Sequence, residues 1–524
     1  MARASRILLL LTCLMAVLAV HAQDDIPYYG PGPDWVPPLQ AYVVASDLPN
    51  AVNYLPAPPD TASAAFISDM IKWQWGKSIR QNANGTRTTR GSQAWNDSQY
   101  GYPRWYNVLA TIFRVTLNKF PGMGGFVYNV GEAGSVSTQY AKLYHKRRRP
   151  IPQLNDTTWG RYDEYDDMLT SYSFPSSHTA FGWAVALAIA EMVPELADTT
   201  LARAYSYGEN RTIVGAHWNS DVENAILTAS AAVAHLHTID AFKQGFNNAQ
   251  QGYYNYYGKE PPTDTPLPNG RRIQGYSMVD TASSYYYADV AQYWEAKSLR
   301  DTDRGLEAQV DASDSERALL QMYSEILGKP LVISTNPGIV HLVRAAREAI
   351  IESAQQMRDA APFKKRPYVQ LGEPTLLPGE EAYYADKSSY PSTKAMLGWG
   401  LSLLLAEVAP EHNEALLKRG YDYGQSRVIA GYNYPSDVMA GRIQACAVIA
   451  HLHSKPEFKD MIDDAIMEYN DDLRLVTQVN DINAHKPAPD RWYTTTGVLL
   501  TSPPETPGIY IHNGHKVVVR IGDR

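Results

Sequence analysis

Cysteine is almost missing: the 524 residues hold two, and one of them, Cys13, lies in the apolar amino-terminal segment. Only Cys446 is left for the mature chain, which rules out an intrachain disulfide framework and any Cys-x-x-Cys ligand pair. No His-Glu-x-x-His or clustered-carboxylate pattern accompanies the reactive stretches around Lys142, His178 and His217, so no catalytic metal and no cofactor is expected. Positive charge is not in excess. Lys and Arg number 47 against 55 Asp and Glu, a formal net charge of −8, which argues against nucleic acid as a general partner. Long apolar runs are scarce too. Ile7–Val20 follows Arg3 and Arg6 and ends at Val20-His21-Ala22, the pattern of a secretory signal spanning residues 1–22. It is too short to be kept as a membrane span, and Thr12 before Cys13 makes a poor lipoprotein box. Its removal takes the formal charge from −8 to −10. The best later run, Ala180–Val193, has 14 residues and contains Glu191. It reads as a buried core helix, so no integral membrane segment is expected after signal removal. A periplasmic or secreted location follows.

What the chain does have is length for two or more domains, an ordinary apolar content of 44%, and self-similarity. DTASAAFISDMIKWQWGKSIR from Asp60 returns as DTASSYYYADVAQYWEAKSLR from Asp280. HTAFGWAVALAIAEMVPE from His178 returns as KAMLGWGLSLLLAEVAPE from Lys394, and ENRTIVGAHWNSDV from Glu209 as QSRVIAGYNYPSDV from Gln425. Shifts of 216 to 220 residues relate these pairs, so a duplicated domain is expected rather than a solenoid of short repeats. The joint falls in the proline-rich stretch Lys259–Arg272. Residues 23–60, rich in proline and tyrosine, read as an extended arm. The Ala/Leu/Glu-rich periodic runs, such as Ala180–Ala197 and Leu397–Val408, read as helix, making both copies all-α. After about Arg491 the character changes, and Asn513-Gly514 between β-rich arms reads as a hairpin. The expected division is 23–262 for the first domain, 263–480 for the second and 481–524 for a carboxy-terminal extension.

The chemistry concentrates in three stretches of the first copy. In NRTIVGAHWNSD, Arg211, His217 and Asp221 recur at steps of one to two helical turns, a spacing that can bring all three to one cleft. A carboxylate one turn from a histidine can hold one ring nitrogen protonated and leave the other free to attack. An arginine nearby offers a planar fork of donors suited to phosphate. Upstream stand KLYHKRRRP, with Lys142 and Arg149, and SFPSSHTAFGW, with Ser176, Ser177 and His178. A lone His/Asp pair at this spacing is most often a structural hydrogen bond. Here the three stretches together, in this order, resemble the signature of the type 2 phosphatidic acid phosphatase superfamily. The flanking YLPAPPDTASAAFISD and AVAHLHTIDAF resemble the soluble bacterial class A non-specific acid phosphatases. Ser177 departs from the family's usual glycine, and Asn210 from its usual serine.

The resemblance implies two tandem helical domains of the acid phosphatase/vanadium haloperoxidase type with a short β-rich tail. It also implies hydrolysis of small phosphomonoesters without a metal. In that reading His217 attacks phosphorus, Asp221 orients its ring, and His178 protonates the leaving alcohol. Lys142, Arg149, Arg211, Ser176 and the Ser177 amide hold the phosphate oxygens. In the second copy Lys394 replaces His178 and Asn433 replaces His217, while Ser392, Arg366, Arg427 and Asp437 remain. An amide is no phosphoryl acceptor here, so the second copy reads as catalytically dead, with Asp359 opposite Lys142. It is expected to serve as an intramolecular stand-in for a second subunit, and further homo-oligomerisation is left open. Two alternatives stand beside the phosphatase: a vanadium-dependent haloperoxidase, and a non-catalytic phosphate-binding surface protein. The basic run Lys146–Arg149 is by default a solvated face apart from Arg149. His235, His237, His451 and His453, which occur in both copies, read as packing or capping residues. The tail GIYIHNGHKVVVR is also similar to the end of sorting tails that carry proteins through a bacterial outer membrane.

Overall fold

The computed structural model describes residues 42–157, 159–161, 165–274, 283–483, 491–494, 499–504, 506, 508–512 and 515–519. The signal sequence, most of the amino-terminal arm and the Asn513-Gly514 turn lie outside the described residues. Two compact units are present, one running to Ile466 and one beginning at Met467.

The first unit is helical and spans both of the stretches whose sequences resemble each other. Its first half contains α1 (Ala64–Ile79), α2 (Met123–Val136), α3 (Ser177–Met192), α4 (Ala197–Ile213), α5 (Asn219–Leu236) and α6 (Asp240–Tyr257). Its second half contains α7 (Ser284–Lys297), α8 (Pro337–Ala360), α9 (Thr393–Val408), α10 (Asn413–Ala430) and α11 (Pro435–His453), followed by α12 (Pro456–Asn483). Serines start the matching helices. Ser63, Ser176, Ser283 and Ser392 each accept a hydrogen bond from the backbone N–H of the third helical residue, which satisfies an otherwise orphaned donor.

Helix α3 is buried from His178 to Met192, and α9 from Lys394 to Val408. A helix apolar on every face has to sit inside the fold, and each of these is the central rod of its half. Helix α3 packs on α2, α4 and α5, and α9 packs on α8, α10 and α11. Trp183 and Trp399, one on each rod, are both fully buried. The halves meet where α3 and α5 contact α9 and α11, and where α1 contacts α7. The proline-rich linker is not a free tether. The Asn269 amide donates to Asp198 in the first half (2.7 Å), and Gln444 in the second donates to the Pro268 carbonyl (2.7 Å).

Among the described residues no single helix is long and apolar enough to cross a membrane. The bent pair α5–α6 meets the length and composition for it, and α5 is buried in the core along nearly its whole length.

The second unit begins within α12, which continues to Asn483, past the expected domain end at 480. The β-rich tail is more than a hairpin. Strands β1 (Trp492–Thr494), β2 (Leu499–Leu500), β3 (Gly508–His512) and β4 (His515–Val519) form one antiparallel sheet in the order β2-β1-β3-β4. Its β3–β4 pair, with His512 opposite His515, is the expected hairpin.

Close approach of α2 to α3 depends on Gly134, where an added Cβ would lie 2.5 Å from the Ala180 carbonyl oxygen and 2.6 Å from the Ala184 Cβ. Backbone cannot give way as a side chain does. Gly134→Ala should therefore destabilise the protein by about 1–3 kcal/mol despite alanine's better helix propensity. Urea unfolding checks this, and a midpoint at or above the wild type's would contradict the packing described.

Candidate active site

The carbonyl end of α4, the amino end of α5 and the amino end of α3 converge on one buried centre. Gly215 makes this possible by turning the chain after α4 with a φ of +84°, a conformation that favours glycine. Four residues on, α5 begins. Asp221 sits in its first turn and accepts the Trp218 backbone N–H (2.8 Å). The carbonyl of Asp221 takes the N–H of Ser176 (3.0 Å), which ties the start of α3 to the start of α5.

Asp221 is fully buried, and four donors address its carboxylate. Arg147 donates from Nη1 to Oδ1 at 2.6 Å, Ser173 donates from its hydroxyl, Trp218 donates from its amide, and His217 Nδ1 lies 3.3 Å from Oδ2. Burial pushes this carboxyl up, but Arg147, His217 and Ser173 outweigh it and hold Asp221 well below the usual carboxylate range. Arg147 is shared. Its Nη2 donates to Asp69 on α1 at 2.6 Å, and Ser220 bonds the same carboxylate through its amide and hydroxyl. Burial raises Asp69, and Arg147 and Ser220 only partly offset it.

The far side of the His217 ring faces Arg149, whose Nη1 lies 2.7 Å from Nε2 and also donates to the Ala216 carbonyl at 3.0 Å. A guanidinium only donates, so Nε2 is an acceptor and the ring proton sits on Nδ1, toward Asp221. His217 is held well below the ordinary imidazole range by burial first, then by Arg149, against the pull of Asp221. Its ring is therefore a neutral base with its lone pair toward a cation.

His178, one residue into α3, is likewise held well below the imidazole range by burial, then by Arg211, His217 and Arg149. Its ring stacks on Tyr207 (5.4 Å) and abuts Tyr100 (5.0 Å), and its buried Nε2 has no hydrogen-bond partner. Lys142 donates to the carbonyls of Tyr172 (3.0 Å) and Ser173 (3.4 Å). Burial lowers its pKa, with Arg149 and Arg211 adding to the effect. Arg211, buried in the last turn of α4, acts on both His178 and Lys142. Ser176 uses its oxygen as the α3 cap, accepting from the Thr179 amide and hydroxyl, and Ser177 bonds Thr138 through its hydroxyl (2.7 Å). Lys142, Arg149, His178, Arg211, His217 and Asp221 thus act on one another around one centre; Ser176 joins it through its amide on the Asp221 carbonyl, and the Ser177 hydroxyl turns to Thr138. Arg147, Ser173 and Asp69 are additions. The solvated-face default hid Arg147, which the structure buries at 5% exposure.

The second half repeats the frame with different contents. Asp437 accepts the Tyr434 amide (2.8 Å), and its carbonyl takes the Ser392 amide (3.0 Å). Lys364 occupies the place of Arg147, bonding Asp437 (2.8 Å), Asp289 (3.3 Å) and Ser436 (3.0 Å). Arg366 Nη1 donates to the Tyr432 carbonyl at 3.0 Å, as Arg149 does to Ala216. Asn433, in the place of His217, turns its amide to the Ser389 carbonyl (2.5 Å) and accepts from Ser392 (3.3 Å). Lys394, in the place of His178, donates to the Ala312 carbonyl. The expectation that Asp359 faces the position of Lys142 is corrected. Arg358, its neighbour on α8, points to the Pro391 carbonyl and the Thr393 hydroxyl, while Asp359 bonds the exposed Gln355 one turn back. Neighbours on a helix diverge by about 100°, so one position of register decides which of them faces the centre.

Comparison with known proteins bears on the first half directly: residues 125–244 match the PAP2 superfamily. The chain is 33% identical over 207 residues to a non-specific acid phosphatase of Providencia stuartii, covering 39% of this chain and 84% of that protein. It is 29% identical over 205 residues to a non-specific acid phosphatase of Salmonella typhimurium, covering 38% and 79%. An acid phosphatase of Zymomonas mobilis is 30% identical over 163 residues, covering 31% and 61%.

Removing the cation that Asp69 and Asp221 share leaves buried charge uncompensated. Arg147→Met should cost about 3–5 kcal/mol of stability, whereas Arg147→Lys, the arrangement already present at Lys364, should cost much less. Urea unfolding of the two variants tests this. Equal midpoints for Arg147→Met and the wild type would show that the bridge contributes nothing.

Proposed function

The chain belongs to the PAP2 superfamily, with bacterial non-specific acid phosphatases among its homologues, and from that premise we propose that it hydrolyses phosphate monoesters at the His217 centre. The observation that carries the reading is the pair of contacts on His217: Nδ1 toward Asp221 at 3.3 Å and Nε2 toward Arg149 at 2.7 Å. They give the ring one protonated nitrogen, one lone pair, and a cation where a phosphate oxygen would sit.

In this reading an incoming phosphate takes Arg149's N–H and uncovers the Nε2 lone pair. Nε2 forms a bond to phosphorus as the bond to the ester oxygen breaks, and Asp221 stabilises the resulting cationic ring. Lys142, Arg149, Arg211 and the Ser177 amide hold the equatorial oxygens, where charge is spread in the transition state. Water then displaces the phosphoryl group from nitrogen and restores His217. The leaving oxygen needs a proton, and His178 in the empty site is held neutral by burial and its cationic neighbours. A phosphate monoanion brings both the negative charge that lets His178 protonate and the proton itself. Below a second phosphate pKa of roughly 6 the substrate is in this form, and depression of His217 keeps the nucleophile neutral there.

The same reading makes residues 263 to about 480 a duplicated, degenerate partner of the first domain. Support comes from the repeated frame around Asp437, in which an amide and a lysine stand where the imidazoles would be. Packing of α3 and α5 against α9 and α11 fits a half that takes the place of a second subunit. The amino-terminal signal pattern supports a secreted or periplasmic enzyme.

Hydrolysis of p-nitrophenyl phosphate by the full chain tests the function, beside bromide oxidation with peroxide and vanadate. We expect phosphatase activity that falls at least about 10³-fold in His217→Asn, consistent with loss of a nucleophile, and no vanadate-dependent bromide oxidation. The alkaline limb of kcat/KM should move with the second phosphate pKa when the substrate is changed. Wild-type turnover by His217→Asn, or oxidation of bromide, would contradict the proposal.

A further inference from the structure

The histidines on the closing helices have a placement that packing or capping does not explain. His237 at the end of α5 and His453 at the end of α11 stack face to face across the joint between the halves. Their ring centroids are 4.2 Å apart and inclined by 23°. Each ring meets a glutamate from the far end of its own half's central rod. His237 Nε2 lies 3.0 Å from Glu191, and His453 Nε2 lies 2.9 Å from Glu407. Glu191 and Glu407 are 2% and 3% exposed, and Glu407 Oε1 is buried with no hydrogen-bond partner. A cavity of about 260 Å³ opens onto all four side chains.

We propose that Glu191, His237, Glu407 and His453 form a binding site for one divalent transition metal ion, of which zinc is the best match, clamping the two halves together. The donor chemistry supports it. His453 Nδ1 donates to the Ile449 carbonyl at 2.9 Å, so Nε2 is the nitrogen that faces Glu407. The proton held between them, whose pKa burial lowers but Glu407 raises to about 9, is the one a metal would displace. Two acceptors 2.9 Å apart need a cation between them, and the choice is a proton or a metal. A ring nitrogen that donates to a backbone carbonyl while its partner nitrogen faces ligands is the usual second-shell arrangement of a metal-bound histidine.

Charge balance admits a metal: without one, His453, raised to about 9 by Glu407 against burial, and Lys459, which acts on Glu191, carry the compensating charge. Two buried carboxylates need two positive charges, and two imidazolium rings stacked at 4.2 Å would repel each other. One divalent ion supplies both charges and leaves both rings neutral. Two imidazole nitrogens and two carboxylate oxygens make a four-coordinate set suited to zinc. The ligand atoms of Glu191, His237 and His453 lie within 4.8 Å of one another, while Glu407, 2.9 Å from His453 Nε2, lies outside that set and reaches the ion only by turning past His453. Across a tetrahedral zinc with bonds of about 2.0–2.1 Å the first three would lie roughly 3.3 Å apart, so closure of those three takes side-chain movements on the order of 1 Å. Lys243, Lys459 and Asp463 line the rest of the cavity, and Lys459 lies over the Phe246 ring, 5.1 Å from its centroid. The site is at the opposite end of α3 from His178, about 20 Å away along the helix. It is therefore separate from the phosphoryl chemistry and does not rest on it.

The test is calorimetric titration of zinc chloride into chelator-treated full-length protein, with metal content read by mass spectrometry and Tm with and without zinc. The wild type should bind one equivalent with release of protons, because metal displaces the proton shared between His453 and Glu407, and its Tm should rise. His237→Gln should weaken binding at least tenfold and lose the Tm shift while keeping the wild type's far-ultraviolet circular dichroism and a cooperative thermal transition, which show that it is folded. Glu191→Gln, closer in volume to the native residue, gives the same readout if His237→Gln does not fold. A wild type that binds no zinc equivalent, or variants that bind as tightly as the wild type, would overturn the proposal.

Discussion

Burying a carboxylate costs several kcal/mol unless its lone pairs are met by donors and its charge by a cation, and Asp221 meets that requirement in full. Arg147 supplies the charge, and Ser173 and the Trp218 amide fill further lone pairs. The remaining direction goes to His217. The four contacts draw together α1, the loop before α3, and the starts of α3 and α5, because Arg147 reaches Asp69 and the Asp221 carbonyl holds Ser176. Chemistry and architecture therefore share one group. The tautomer of His217, the seat of Arg149 and the position of His178 all follow from where Asp221 is fixed.

The second half separates the two roles. Asp437 keeps the cation, the amide and the link to the α9 cap, so the frame stands, while Asn433 and Lys394 direct their polar groups to backbone carbonyls. Lys364 in place of Arg147 still bridges two carboxylates and a serine, which identifies the buried bridge as a structural need common to both halves. The arginines there lie against aromatic faces. Arg427 is 4.2 Å from the Tyr432 ring centroid and Arg366 4.8 Å from that of Tyr384, contacts that stabilise a desolvated guanidinium. Burial, with Arg427 and Arg358 nearby, lowers Arg366 to about 10.

The helical character was legible in the sequence, because hydrophobic spacing is a local property. Helical spacing alone pointed to Arg211, His217 and Asp221 as neighbours, whereas Lys142, Arg149, Ser176, Ser177 and His178 came from the resemblance to the family. Arg147 came from neither. In a run of four basic residues nothing local marks which one turns inward, and only the separate carboxylates of Asp69 and Asp221 decide it. The signal available was comparative: position 364, matching Arg147, is also a cation, with Asp289 matching Asp69. Asp359 failed for a related reason, since a one-residue uncertainty in aligning the end of α8 exchanges an aspartate for an arginine. His237 and His453 were visible as a repeated pair, but the face-to-face stacking comes from tertiary packing between the halves and is invisible to periodicity. In the tail the β3–β4 pairing was readable from its turn residues, whereas the short strands β1 and β2 carry too few residues to show an alternation.

Direct capture of the phosphoryl group on nitrogen decides the central claim. Full-length protein mixed with a radiolabelled phosphomonoester, quenched in alkali within milliseconds and mapped by mass spectrometry, should carry acid-labile phosphate on His217. None should appear on any residue of His217→Asn. Label on a different side chain, or hydrolysis at the full rate with no labelled protein at any quench time, would contradict the account.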